Sequence, residues 1–372
     1  MNFDFATHID RRQHPTKKWQ QYDEDVLPLW VADMDFRSPP AVLEALAQRV
    51  EHGVFGYGDV SEELRHTLCQ WSRHHYDWSI DADWQYWVPG VVPALHLAAM
   101  AFSEPGQGVL TATPIYPPFL SVAKHVGRES QTFELAEPNA PGEPWQLDLA
   151  ALEAAIRPNT RVLLWCHPHN PTGRVWSAEE LRGLAELAER HDLILDPAQP
   201  HRPLGRLCPE LASRLITLWA PSKTFNIAGL SSACAIIADG DLRRRFKAAA
   251  GGLLPGVNVL GLSASQAAYA ACETWRQALL HELRGNLARV EAHVARWPGV
   301  SMTRPEATYL AWLDLRRSPV ADDPQQRLLG EARVALSDGA DFGWPGFVRL
   351  NFGMPRTWLE EALIRLDGVL AH

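Results

Sequence analysis

Residues 161–174 read RVLLWCHPHNPTGR, a short apolar run that ends in a proline-rich loop. Such a run is typical of a buried strand, and apolar residues at helical spacing follow it at 178–191. Similar strand-like runs lie on either side, at residues 85–88, 108–111, 193–195, 215–219 and 233–238. Helix-like stretches separate most of these runs. Strands that alternate with helices predict an α/β fold built on a mostly parallel sheet.

A long helix-like stretch at residues 274–297 indicates where a second, smaller domain begins. Its apolar residues recur at helical spacing, at Leu279, Leu283, Leu287, Val290 and Val294. Strand-like and helix-like runs alternate beyond it, at residues 309–313, 324–332, 347–352 and 357–370. This pattern predicts a smaller domain that contains both kinds of element.

The composition excludes several classes of protein. A length of 372 residues suffices for two domains without disulfide or metal support. The net charge is −9 and no run of five like charges occurs, which argues against nucleic-acid and membrane partners. The five cysteines form no CxxC pair, so neither disulfides nor a metal site are expected. Because no signal peptide or membrane-spanning run is found, we expect a cytoplasmic protein.

Ligands of open α/β sheets bind outside the carboxyl ends of the strands, so the residues that follow each predicted strand are the candidate site. Gly90 leads into a helix whose first residues, Val91 and Val92, have backbone N–H groups that can hold a phosphate. Tyr116 lies on a proline-stiffened loop, where its ring can stack on a flat ligand. Asn170 precedes a proline in a turn, where its amide can donate to a ligand oxygen.

An acid and a lysine follow two further strands of this series. Asp196 comes directly after an apolar run, and a carboxylate in that position needs a partner. Ser222 and Lys223 follow the run at 215–219. The five features together fit pyridoxal 5'-phosphate, with Lys223 as the amine that condenses with its aldehyde and Asp196 keeping its pyridine nitrogen protonated. The other predicted contacts are Asn170 to the 3'-oxygen, Tyr116 to the ring, and Ser222 with the Val91 and Val92 N–H groups to the phosphate.

At these residues the sequence resembles the fold-type I pyridoxal-phosphate enzymes. It is most similar to the C–S lyase (cystathionine β-lyase, MalY/PatB type) branch of the class I/II aminotransferase superfamily. The resemblance rests on WVADMDF at 30–36, GVFGY at 53–57, GVVPALH at 90–96, TPIYPPF at 113–119, PHNPTGR at 168–174, SKTFNIAGL at 222–230, ATYLAW at 307–312 and RLNF at 349–352.

The resemblance implies a seven-stranded type of sheet with helices on both faces and a smaller α+β domain made from both termini. The implied bounds are residues 1–45 for the N-terminal arm and part of the small domain, 46–275 for the large cofactor-binding domain, and 276–372 for the rest of the small domain. It also implies a homodimer, in which Tyr57 reaches the phosphate of the neighbouring subunit's cofactor.

The resemblance also assigns the substrate contacts and the catalytic residues. Arg349 and the backbone near Ala32 would hold the α-carboxylate of an amino-acid substrate, for which a planar guanidinium is better suited than a lysine. Lys223, Asp196 and Tyr116 are the expected catalytic residues. One position departs from the family pattern, because Gln199 stands where the family usually has an imidazole as a second contact to the cofactor's 3'-oxygen.

The activity that the resemblance implies is a pyridoxal-phosphate-dependent C–S β-lyase. It would cleave cystathionine or related cysteine S-conjugates to pyruvate, ammonia and a thiol. Two alternatives remain open from the sequence: an aminotransferase on the same scaffold, and a regulatory or catalytically impaired member of the family.

Overall fold

A computed structural model describes residues 3–140, 142–198 and 203–371, with the backbone alone for residues 196–198. The strands are β1 (Leu27–Pro28), β2 (Gln85–Val88), β3 (Gly108–Thr113), β4 (Glu129–Glu134), β5 (Thr160–Cys166), β6 (Ile194–Ala198), β7 (Thr217–Trp219), β8 (Ala233–Ile236), β9 (Ser301–Met302), β10 (Leu310–Asp314), β11 (Val334–Ala335), β12 (Ser337–Asp338) and β13 (Phe347–Asn351).

The α-helices are α1 (Lys17–Gln20), α2 (Pro40–His52), α3 (Glu62–Tyr76), α4 (Val91–Phe102), α5 (Pro117–His125), α6 (Leu149–Ala155), α7 (Ala178–Arg190), α8 (Leu204–Leu207), α9 (Gly240–Ala250), α10 (Val259–Ala271), α11 (Glu273–Val294), α12 (Pro324–Arg327) and α13 (Arg356–Leu370). A π-helical turn at Leu328–Ala332 continues α12. Among the described helices, none combines the length and apolar character that a membrane crossing requires.

The large sheet has seven strands in the order β2-β8-β7-β6-β5-β3-β4. Strand β8 runs antiparallel to both of its neighbours, and the remaining pairs are parallel. Strands β2, β3, β5, β6 and β7 therefore point the same way and end at one edge of the sheet. The predicted α/β fold with a mostly parallel sheet is confirmed.

Whether the sequence pattern predicted a strand depends on how fully that strand is buried. Strand β3 is buried at every residue and β5 at nearly every residue, so each reads as an apolar run. The edge strand β4 has the sequence ESQTFE, in which buried residues alternate with exposed polar ones, and the prediction missed it. The helices α2, α3, α6 and α10 were also missed.

The prediction that Asp196 follows a strand is wrong, because β6 continues through Pro197 to Ala198. A proline within a run usually argues against a central strand, since it has no N–H to donate to the ladder. Here β6 pairs with β7 through Ala198 and Leu218, so few ladder bonds on that side depend on Pro197.

A second sheet has four antiparallel strands in the order β12-β13-β10-β9, and β1 pairs with β11 in parallel. Residues from both ends of the chain share one core with the long helix α11. Its members include Leu29, Met34, Leu283, Leu350 and Leu363. Residues from the N-terminal and C-terminal regions thus pack together in one core, while the make-up and bounds of the two domains stay a prediction.

At Gly173, the loop after β5 contacts residues 305–307, which precede β10 of the second sheet. The carbonyl oxygen of Gly173 accepts the N–H groups of Glu306 and Ala307, each at 3.0 Å. Its φ of +71° lies in the left-handed region, and a Cβ on it would lie 2.4 Å from the Cβ of Pro305. The loop that carries Asn170 is therefore held against the 305–307 segment by a contact that only glycine permits.

We expect Gly173→Ala to lower the free energy of unfolding more than Gly106→Ala does. Both glycines have positive φ, which costs an alanine about 1–2 kcal/mol. A Cβ at Gly106 meets no atom within 4 Å, whereas the clash with Pro305 should add about 1–3 kcal/mol at Gly173. Urea denaturation of the two variants measures the difference, and equal losses would contradict the close approach.

Candidate active site

The candidate site lies at the edge of the large sheet where the parallel strands end. Helix α4 begins there after β2, with Gly90 as its N-terminal residue at a φ of +123°. No side chain caps this helix in the described part of the chain, so the N–H groups of Val91 and Val92 face outward from the helix end. Ser222 and Lys223 follow β7 at the same edge.

The ammonium group of Lys223 donates a hydrogen bond to the carbonyl oxygen of Ala32, which also accepts one from the Tyr309 hydroxyl at 3.0 Å. The side chain remains reachable by solvent, yet the protein around it removes enough hydration to lower its pKa. Asp33 raises the pKa of Lys223, while Arg349 lowers it further. The geometry therefore holds an amine that loses its proton more easily than a free lysine.

Arg349 on β13 is a buried cation, and its partners among the described residues are neutral. Its Nη1 donates to the Oδ1 of Asn170 at 3.0 Å, and its Nη2 donates to the carbonyl oxygen of Trp30 at 2.9 Å and to the Oγ of Ser337 at 3.2 Å. The guanidinium also lies 4.7 Å from the centre of the Phe342 ring.

No carboxylate pairs with Arg349 among the side chains that the structure describes, and its Nε has no hydrogen-bond partner there. Burial lowers the pKa of Arg349 to about 10, although Tyr116 and Tyr309 act in the opposite direction. A buried guanidinium without a counter-charge is costly, so this one is suited to receive an anionic group from a ligand.

Asn170 and Tyr116 come together as predicted. The N–H of Tyr116 donates to the carbonyl oxygen of Asn170 at 3.0 Å, which fixes the two loops after β3 and β5 against each other. The amide oxygen of Asn170 is bound by Arg349, so its NH2 group is the one that can donate to a ligand oxygen. Burial raises the pKa of Tyr116, so its hydroxyl stays protonated at neutral pH.

Residues 30–36, which we call the strap, cross the site and are held by two asparagines that the sequence did not single out. Asn226 donates to the carbonyl oxygens of Met34 at 3.0 Å and Phe36 at 2.7 Å. Asn351 donates to those of Val31 at 2.6 Å and Asp33 at 2.7 Å. Both asparagines lie inside motifs quoted above, and the φ of +53° at Asn226 is one that asparagine tolerates.

An ion cluster beneath the strap was also missed by the sequence reasoning. Lys18 and Asp35, whose side chains are both fully buried, pair at 2.6 Å. Arg11 donates to Asp35 at 2.6 Å and to Asp33 at 2.8 Å. Burial alone would raise the pKa of Asp33, but the hydrogen bond from Arg11 and the charge of Lys18 outweigh it and lower that pKa. No spacing in the sequence predicts this cluster, because its members come from the short helix α1 and from two irregular segments.

Of three further predicted residues, Tyr57 makes no contact at this site within one chain, and the side chains of Asp196 and Gln199 stay a prediction. Tyr57 is fully exposed on the extended segment between α2 and α3. Asp196 lies on β6 opposite Leu164 of β5, and its side chain lies outside what the structure describes. Gln199 lies outside the described residues.

The described residues fit pyridoxal 5'-phosphate. The α4 N-terminus offers backbone N–H groups and a glycine without a side chain, which suits a phosphate. A lysine with a lowered pKa is suited to react with an aldehyde, and the Asn170 amide is suited to an oxygen of the ring. These groups share the edge where ligands of parallel sheets bind.

Comparisons with known proteins agree with this site. A family model described as aminotransferase class I and II matches residues 24–366. The cystathionine beta-lyase PatB of Bacillus subtilis is 35% identical, and the match covers 100% of both chains. The solved structure of OvoB is 40% identical with a TM-score of 0.94, covering 99% of each chain. That of cystalysin from Treponema denticola, which contains pyridoxal 5'-phosphate, is 32% identical with a TM-score of 0.93 and the same coverage. The predicted resemblance is confirmed, and this chain belongs to the class I and II aminotransferase family.

Proposed function

We propose that this protein is a pyridoxal-phosphate-dependent C–S β-lyase that acts on cystathionine or related cysteine S-conjugates. The observation that carries the proposal is the buried guanidinium of Arg349, which lacks a carboxylate partner in the described part of the chain and lies close enough to Lys223 to lower its pKa. This pair suits an amino acid whose carboxylate is bound by one residue and whose Cα proton is removed by the other. Relatives that match the full chain are named cystathionine beta-lyases.

Arg349 holds and orients the substrate. When bound, pyridoxal phosphate supplies an electron sink for the electron pair of the broken Cα–H bond. A carboxylate gripped by the two nitrogens of a planar guanidinium has a fixed direction, which sets the orientation of the Cα–H bond. The three neutral partners of Arg349 keep its fork in place before the substrate arrives.

Lys223 moves the proton. Its lowered pKa favours the neutral amine that a base requires, and Ala32 gives its Nζ a defined position. We assign the remaining roles on the sequence: Asp196 keeps the pyridine nitrogen protonated, Gln199 contacts the 3'-oxygen, Tyr116 stacks on the ring, and Ser222 with Val91 and Val92 binds the phosphate.

The proposal includes a cytoplasmic homodimer with shared active sites. The segment between α2 and α3 exposes Val54, Phe55 and Tyr57, and an apolar segment of this kind is suited to cover a second copy. Tyr57 would then bind the phosphate of the partner's cofactor. We also propose the domain bounds 46 and 275, with the two termini forming the smaller domain.

We expect the purified protein, supplied with pyridoxal phosphate, to convert L-cystathionine to pyruvate, ammonia and homocysteine in equal amounts. Lys223→Ala should abolish the product, because no base remains at Cα. Pyruvate and free thiol are assayed in one sample. An α-keto acid that keeps the whole carbon chain would favour the aminotransferase, and the absence of both product and visible cofactor absorption would favour an impaired member.

Arg349→Lys should raise KM for cystathionine roughly 30- to 150-fold, since about 2–3 kcal/mol of charge-assisted hydrogen bonding is lost. Steady-state kinetics measure KM and kcat separately. Arg356→Lys is the matched control, because Arg356 of α13 forms an exposed ion pair with Glu282 of α11, and it should leave KM unchanged. An unchanged KM in Arg349→Lys would show that the carboxylate binds elsewhere.

The shared site predicts complementation between two inactive variants. In a mixed dimer of Tyr57→Ala and Lys223→Ala subunits, one site contains both wild-type residues. An equal mixture after subunit exchange should therefore recover about a quarter of the wild-type activity. Mixed dimers detected by mass spectrometry that remain inactive would contradict the shared site.

A further inference from the structure

The N-terminal arm reaches the active site through a chain of buried polar contacts. Asp35 accepts three hydrogen bonds, from Lys18 at 2.6 Å, Arg11 at 2.6 Å and the Trp19 indole at 2.8 Å. Lys18 also lies 3.4 Å from the carboxylate of Asp33. Two cations and two carboxylates thus balance one another beneath the strap.

Stability alone is a poor explanation for this arrangement. Removing Lys18 and Asp35 from water is expensive, and an apolar pair of similar size is often as stable as a buried ion pair. Both side chains are fully buried, so neither charge keeps the hydration that it would have at the surface. A buried ion pair does, however, fix one geometry, because any displacement leaves a charge without its partner.

The ion pair helps to fix the backbone of the strap around Ala32. On one side, Lys18 donates to the carbonyl oxygen of Asp33 at 3.1 Å. On the other side, Arg349 holds the carbonyl oxygen of Trp30 at 2.9 Å. Ala32 lies between these anchored carbonyls, and its own carbonyl oxygen receives Lys223.

We propose that Lys18 and Asp35 are positioning residues for Lys223, acting through the strap to hold the Ala32 carbonyl oxygen where it orients the lysine amine. The inference rests on the proposed function for the meaning of a kcat change, but the ionisation of Lys223 is measured without it. It makes Lys18 and Asp35 part of the catalytic apparatus although neither side chain is assigned a contact to the substrate.

The charges near Lys223 provide a second test of the proposal, because they shift the pKa of this lysine. Asp33 raises the pKa of Lys223, whereas Lys18 and Arg349 lower it. In Lys18→Met, Asp33 loses one of its two compensating cations, so the pKa of Lys223 should rise. Disruption of packing elsewhere in the arm would not change the charge balance around the lysine.

The test uses two variants, Lys18→Met and Asp35→Asn. Each replaces a charged side chain with an uncharged one of similar size. Lys18→Met should lower kcat about tenfold and change KM by less than about twofold, because the base is misplaced while Arg349 still binds the carboxylate. Asp35→Asn should lower kcat in the same way. Steady-state kinetics at saturating cofactor, together with thermal denaturation, separate these effects from loss of folded protein.

The readout that needs no activity is the ionisation of Lys223 in the cofactor-free protein. Labelling with acetic anhydride across a pH series, followed by peptide mass spectrometry, gives the labelling midpoint of Lys223 itself. The midpoint should move to higher pH in Lys18→Met than in wild type. If the wild-type protein makes no pyruvate, the proposed function fails, whereas an unchanged midpoint in Lys18→Met would contradict the coupling between Lys18 and Lys223.

Arg333→Met is the matched control, because Arg333 pairs with Asp23 and Asp25 of the same arm on the surface. It should change neither kcat nor the labelling midpoint. Folded Lys18→Met with unchanged kcat and midpoint would overturn the proposal. So would a fall in kcat that Arg333→Met reproduces, since that result would indicate a general effect of weakening the arm.

Discussion

The site depends on one buried cation, Arg349, that has no carboxylate to pair with in the described part of the chain. Its neutral partners come from three separate regions: Asn170 after β5, Trp30 on the strap and Ser337 on β12. Because each partner satisfies one of its N–H donors, the guanidinium links the large sheet, the strap and the small sheet. A buried guanidinium without a counter-charge favours an anionic ligand, so we propose that the group that organises the site also selects the ligand.

The strap is the second element on which the chemistry depends. It connects the guanidinium of Arg349 to the amine of Lys223, since Trp30 contacts Arg349 and Ala32 contacts Lys223 two residues later. Asparagine side chains from β13 and from the lysine loop replace the backbone pairing that an irregular segment lacks. These hydrogen bonds hold in place a segment that has no helix or strand of its own.

The sequence predicted the part of the site that follows from the direction of the strands. Val91, Tyr116, Asn170 and Lys223 each follow a strand, and parallel strands end at one edge, so their proximity required only the order of the elements. The family motifs added Arg349, which comes from the smaller sheet. The reversal of β8 gave no signal, because a buried strand has the same apolar pattern in either direction.

What the sequence did not predict depends on contacts between distant residues. Asn226 binds a carbonyl 192 residues away, and no local spacing encodes such a pair. Lys18 is buried against Asp35 in a stretch whose charges indicate a solvated arm. The edge strand β4 is polar on its outer face and so lacked the apolar run of its neighbours.

The central claim is that the chemistry of this protein is centred on Lys223, one of five lysines in the chain. Borohydride reduction of the purified, cofactor-loaded protein makes the bond between lysine and cofactor permanent, and peptide mass spectrometry then locates it. The account predicts a pyridoxyl group on the peptide that contains Lys223 and on no other. A label on Lys17, Lys18, Lys124 or Lys247 instead, or no label at all, would contradict it.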